Sequence, residues 1–291
     1  MNLNFVFFAT LSSVIVTVQI YGFSADYLTY KNVFPIYNSF QYLQWIEPSF
    51  IIFSLLLSQS PYGFSIYLFL NTYISLLLKF SVIKSQAPNY TPTILFYILT
   101  VLTLHEYTQI RFSTGLALFY YGYFCATTKK SQSIYYLLAL SFHYSISILI
   151  MLSFLTLINL TRALVVSFVL QGLFLNLIET QARLQGYQAN QGSLYSLFSF
   201  GKFLLFAPYV ITLIYRNNLN SQLFKLHHAI VLGTIGASYL PEVFSVRIAG
   251  MGYFTSILLL FQLNTLAFGM KNILYFLGTS FGFIFFLITL T

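Results

Sequence analysis

An all-α, polytopic integral membrane fold of about ten transmembrane or re-entrant helices is predicted by three observations. Hydrophobic residues fill 58% of the 291 positions, charged residues only 6%, and the acids number five. Mean hydropathy is +0.80. The apolar residues are gathered into runs separated by short polar connections. A soluble domain of this length needs about a quarter of its residues charged, so the composition excludes one.

The runs fall at residues 3–23, 49–60, 62–83, 92–105, 108–127, 132–157, 163–178, 193–215, 226–240, 244–264 and 272–290. The first has no basic segment before it, and Phe23-Ser24-Ala25 is a poor cleavage site, so it reads as a retained helix rather than a removed signal peptide. The longest polar connections are residues 24–47 and 179–192. Pro48 suits the first position of the helix that follows the earlier connection, which places Glu47 to cap it. Basic residues in short loops set the orientation: Lys129-Lys130, Arg216 with Lys225, and Lys271 are assigned to the cytoplasmic side. Residues 105–111, 179–192 and 242–247 then face outward. Parity requires residues 132–162 to run out to His143 and back to Arg162, in legs shorter than the roughly 20 residues of a full span. His143 is therefore expected at a helix break below the outer surface. The same parity makes one of the runs at 49–60 or 62–83 re-entrant or interfacial. With no long extramembrane segment and no repeat, residues 1–291 read as a single transmembrane domain.

The formal charge of +8 comes from scattered Lys and Arg, which suits topology and local anion contacts and not a nucleic-acid surface. One cysteine, Cys125, excludes an internal disulfide. Asp26 is the only Asp, so no Asp-x-Asp metal or nucleotide-sugar motif exists, and no two acids lie within four residues of each other. A phosphate loop, a His-Glu-x-x-His pair and a Gly-x-Ser-x-Gly elbow are also missing, which removes the usual signatures of ATP hydrolysis, zinc proteolysis and serine hydrolysis. His227 and His228 are adjacent, project about 100° apart on a helix, and suit neither chelation nor a catalytic pair. No metal or cofactor is expected.

In so apolar a chain each ionisable side chain is a candidate for function. Arg111 opens a helix just after His105-Glu106, and Arg247 lies six residues into an apolar stretch after Pro241-Glu242. A guanidinium in such a place must be paired, either with phosphate or carboxylate of a ligand or within the protein, with Glu106 or Glu242. His143 in Phe142-His143-Tyr144-Ser145 is either a neutral hydrogen-bonding residue or a proton carrier. Asp26 and Glu47 bound the first outer connection, as a loop acid and a helix cap or as working carboxylates.

Five features in order are similar to the EpsG branch of the Wzy-type polysaccharide polymerases: Asp26-x-x-x-Tyr30, Glu47-Pro48-x-Phe50, Ile110-Arg111, Lys129-Lys130 and Phe142-His143-x-Ser145. They cover residues 20–150, with a looser echo at 247–254. The chain departs where such proteins often follow the Arg with Gln and the His with Pro, because Phe112 and Tyr144 stand there. The resemblance implies a GT-C-like, Wzy-type helical bundle in the bacterial cytoplasmic membrane. It implies a metal-independent glycosyltransferase that joins polyprenyl-diphosphate-linked oligosaccharide units on the outer face. Donor and acceptor glycolipids and membrane lipid are the implied partners, with room for a chain-length regulator protein and no nucleic acid. In that reading Arg111 and Arg247 bind the diphosphate and Tyr30 a sugar ring. His143 or its rival Glu47 takes the acceptor proton, and Asp26 orients hydroxyls or His143. A lipid-linked oligosaccharide flippase and a membrane sugar acyltransferase are the alternatives, although the charged motifs do not recur in the second half as a paired-repeat transporter would have them.

Overall fold

The computed structural model describes residues 3–18, 25–44, 46–87, 90–102, 105–106, 109–155, 205–206, 209–210, 213, 219–237 and 242–262. The runs at 163–178 and 272–290, most of 193–215, and the connection at 179–192 lie outside them. Ten α-helices and no strand are found among the described residues. In chain order they are α1 (Leu3–Thr17), α2 (Ala25–Val33), α3 (Pro48–Leu57), α4 (Gly63–Gln86), α5 (Tyr90–Thr100), α6 (Ile110–Cys125), α7 (Lys129–Phe142), α8 (Ile146–Leu155), α9 (Ser221–Gly236) and α10 (Glu242–Gln262).

Among the described residues α4 is the helix long and apolar enough to cross a membrane; its 24 residues rise about 36 Å at 1.5 Å each. Pro88 ends it, because the residue before a proline is pushed out of the helical region and Ala87 is extended at φ −104°, ψ 127°. Of the two runs at 49–60 and 62–83, the first is the short one. It forms the ten-residue α3, about half the length of a span. The run at 132–157 is broken at the expected place: α7 stops at Phe142, His143 is extended, and α8 starts at Ile146. Thr128 starts α7 by accepting a hydrogen bond from the Ser131 amide at 3.1 Å.

One expectation is corrected. The stretch at 24–47 is not simply a polar connection, since it contains α2 and a 3-10 turn, Phe40–Gln44. Its apolar residues are spaced so that Tyr27 and Phe34 turn inward, and both are buried. Tyr27, Phe34, Phe50, Phe64, Tyr67, Leu68 and Ile110 form one buried cluster, which draws α2, α3, α4 and the start of α6 together. Around Phe50 the rings meet edge-on, with Phe34 and Phe50 centroids 5.5 Å apart at 87° and Phe50 and Tyr67 5.4 Å apart at 88°, a geometry aromatic pairs prefer. Elsewhere Phe7, Leu56, Leu99, Leu137 and Phe154 stand exposed, an apolar exterior that lipid can cover.

The chain forms two compact units, residues 1–147 with 266–291, and residues 148–265. In the first, α4 packs on α1 and α6, and α6 packs on α7. Glycine makes the α6 and α7 contact close: a Cβ on Gly122 would stand 2.7 Å from Tyr135 Cβ, and one on Gly115 would stand 3.1 Å from the Ala139 carbonyl oxygen. Small residues at such faces let helix backbones approach in a bilayer, where there is no hydrophobic drive between helices. In the second unit α9 and α10 pack together. Asn220 caps α9 through its side-chain oxygen, which accepts from the Gln222 and Leu223 amides at 2.9 and 3.2 Å.

Gly122→Val should force α6 off α7. The expected cost is about 1–3 kcal/mol, the range for overpacking a filled contact, read as a lower melting temperature of the purified protein in detergent. An unchanged melting temperature would show that the two helices do not pack at Gly122.

Candidate functional site

Arg111 occupies the second position of α6 and its guanidinium meets α2 and α3. Nη1 donates to the Glu47 carboxylate in a tight ion pair, and Nη2 lies 3.5 Å from the Tyr30 hydroxyl. The guanidinium carbon sits 4.7 Å from the Tyr30 ring centroid and 5.1 Å from that of Phe50. Two ring faces and one carboxylate therefore replace water around the cation, which suits a planar and weakly hydrated group. The side chains of Arg111 and Glu47 are 13% and 8% exposed, so the pair is largely withdrawn from solvent but open at one edge. Arg111 Nε is buried and has no hydrogen-bond partner among the described residues.

Glu47 holds the N-cap position of α3 with Pro48 in the first turn, yet its side chain makes no capping hydrogen bond. The carboxylate is turned to Arg111 instead. Its second oxygen lies 4.0 Å from His143 Nε2. His143 reaches the site because α7 ends there, and the following turn bonds the other ring nitrogen: Ser145 places its hydroxyl 2.7 Å and its amide 3.3 Å from Nδ1. An amide can only donate, so Nδ1 accepts, and the neutral ring then carries its proton on Nε2, toward Glu47.

The two departures from the motif pattern both border this group. Phe112 stands edge-on to His143, with ring centroids 5.4 Å apart at 78°. The Tyr144 hydroxyl donates to the Leu43 carbonyl at 3.3 Å and ties the helix break to the 3-10 turn.

Four of the six residues singled out from the sequence thus converge: Arg111, Glu47, Tyr30 and His143. Asp26 lies in the first turn of α2, with its side chain outside the described residues. Arg247 is exposed on α10 in the second unit. Glu106 is not the partner of Arg111. It is buried with Lys79, whose Nζ lies 2.7 Å from Glu106 Oε1. Lys79 is not among the sequence candidates, although a lysine within an apolar run is itself a signal of function. Tyr97, whose hydroxyl lies 2.9 Å from both Glu106 oxygens, carried no such signal among 24 tyrosines.

A family model, described as the EpsG family, matches residues 2–291. The chain belongs to the EpsG family. No curated protein and no solved structure matches it. Membership in the EpsG family associates the chain with polysaccharide biosynthesis at a membrane, and the helical fold with its apolar exterior agrees with a membrane location.

Breaking the Arg111 and Glu47 pair on one side leaves a charge in a poorly solvated place. Glu47→Ala should destabilise by about 3–5 kcal/mol, whereas Glu47→Leu combined with Arg111→Met should recover most of that loss. Thermal unfolding of the three proteins tests this, and a double variant no more stable than Glu47→Ala would contradict it.

Proposed function

We propose that this EpsG family member is a polysaccharide polymerase that joins polyprenyl-diphosphate-linked oligosaccharide units at the outer face of the bacterial cytoplasmic membrane, without a metal. The observation that carries the reading is a single one: an arginine fork, already seated on a carboxylate, beside a second acid-base group 4.0 Å away from that carboxylate. A sugar bound to diphosphate breaks with charge collecting on the leaving oxygens. A fixed guanidinium stabilises that charge in a site where water is scarce.

In the reaction the acceptor hydroxyl oxygen bonds to the anomeric carbon of the donor, and the bond from that carbon to the diphosphate breaks. The lipid diphosphate leaves with the electron pair, held by Arg111. The hydroxyl proton passes to Glu47 or His143. The direction of the Ser145 amide favours Glu47, since an imidazole whose Nδ1 accepts already bears a proton on the nitrogen facing the site. His143 then donates through Nε2 and holds the carboxylate once Arg111 engages the diphosphate. Tyr30 lies against Arg111, where its ring can also meet a sugar. Asp26 keeps its proposed part in orienting hydroxyls, and Arg247, on the second unit, its proposed part in binding phosphate. The lipid tail lies along the apolar exterior.

The test is extension of purified lipid-linked repeat units by protein in lipid nanodiscs, with products separated on a gel. Arg111→Ala should lower the rate by on the order of 10² or more. Arg111→Lys should fail to restore it, because a point charge cannot present two parallel donors. Glu47→Gln should lose turnover more completely than His143→Gln, and EDTA should have little effect. Wild-type activity in Arg111→Ala, or a strict divalent-metal requirement, would refute the mechanism.

A further inference from the structure

A second polar group, entirely buried, lies in the first unit where α4, α5 and α6 meet. Lys79, Tyr97, Glu106, Ser75 and Ser113 are all withdrawn from solvent. Lys79 Nζ donates to Glu106 Oε1 at 2.7 Å, to Ser113 Oγ at 2.7 Å and to the Tyr97 hydroxyl at 2.9 Å. Glu106 Oε1 also accepts from Ser113 and Ser75 at 2.9 and 3.2 Å. Among the described residues its donors and acceptors bond one another, which does not point to a ligand. Energy does not explain it either. Apolar residues of similar volume in place of a buried ion pair are often as stable or more so.

Position explains it better. Tyr67, Asn71, Ser75 and Lys79 are spaced four apart, one row along α4, and every one of them is buried. Facing this row is the first turn of α6. Asn71 Nδ2 donates to the Ile110 carbonyl at 3.1 Å, and Thr114 Oγ1 donates to the Asn71 carbonyl at 3.1 Å. Ser75 Oγ lies 3.0 Å from Ser113 Oγ. Arg111 is therefore flanked, at 110, 113 and 114, by residues bonded to α4. At the near end of the row Tyr67 packs on Phe50, the ring beneath the Arg111 guanidinium. Lys79 and Glu106 close the far end, where Glu106 precedes α6 and Tyr97 brings in α5.

We propose that the Lys79 and Glu106 pair is a positioning device for Arg111: it locks the register of the first turn of α6 against α4 and so aims the guanidinium at its ligand. The catalytic part of the claim rests on the polymerase reading above; the register lock does not. A slide of α6 by one residue would break the whole row of bonds and move Arg111 off Tyr30 and Phe50, and a misplacement of about 1 Å at a reacting group can cost 10²-fold.

The experiment uses the full chain in nanodiscs. Lys79→Met combined with Glu106→Gln removes both charges together, so neither is left buried alone. Hydrogen exchange followed by mass spectrometry should then show faster exchange at residues 109–114 and unchanged exchange across α7. Turnover should fall about 10²-fold with KM within about threefold of wild type, because the reacting group is misaimed while the lipid contacts stay. Ser113→Ala, which exposes no naked charge, should show the same pattern more weakly, and it decides the matter should the double variant fail to fold. Wild-type exchange at 109–114 in the variants would overturn the proposal, and so would faster exchange spread evenly through α6 and α7, the mark of a merely structural role. If wild-type protein extends no glycan yet the variants loosen residues 109–114 alone, the polymerase reading falls and the register lock stands.

Discussion

A guanidinium taken out of water must find its charge matched locally, because an uncompensated ion in a poorly solvated interior costs several kcal/mol. Arg111 meets that demand with Glu47 and the faces of Tyr30 and Phe50, drawn from two different helices, α2 and the start of α3. Tyr30 requires α2 where a polar connection was expected. Glu47 and Phe50 require α3, a helix too short to span. The break that frees His143 requires α7 to stop after 14 residues. The irregular features of the first unit thus share one location. In a membrane protein that is where non-helical backbone is tolerated, since its polar groups can be satisfied by protein there.

Much of this was legible in the residues, for reasons that can be named. The helix break at His143 is expected from counting, if one apolar run holds an outward and a return leg that are each too short for a span. Arg111 and Glu47 stood out because charged side chains are so few. Their pairing is not legible, because Glu106 lies only five residues from Arg111 in sequence and is the nearer partner along the chain. That choice was decided by α4, whose Lys79 claims Glu106 from across the bundle. The helix α2 is not legible because Asp26, Tyr30 and Lys31 dilute its hydrophobicity. Its structure rests instead on Tyr27 and Phe34, whose value lies in the rings of α3 and α4 that they meet.

Phe112 and Tyr144 illustrate how a departure from a motif can be absorbed. A proline after His143 would enforce the break through its own backbone restriction. Tyr144 is compatible with a helix, so the break needs another support, and the Tyr144 hydroxyl supplies one by reaching the Leu43 carbonyl. Phe112 cannot hydrogen-bond as Gln would. It gives His143 a ring edge to pack against, which fixes the orientation of the imidazole by contact while Ser145 fixes its proton.

Two buried ion pairs among the described residues of the first unit are built for opposite ends. The Glu106 carboxylate receives Lys79, Tyr97, Ser75 and Ser113 at distances of 2.7 to 3.2 Å, so an incoming anion would have to displace several bonds at once in a place no solvent reaches. The Glu47 carboxylate has Arg111 on one oxygen and His143 at 4.0 Å from the other, and its edge is partly open. In the proposed reaction a diphosphate would offer Arg111 more negative charge than one carboxylate does, and exchange would leave Glu47 beside an imidazole that can take over as its partner. Arg111 therefore need not stand unpaired before substrate arrives, nor Glu47 after it. In the proposed mechanism the saturated pair holds the helix still, and the unsaturated pair is the one that substrate opens.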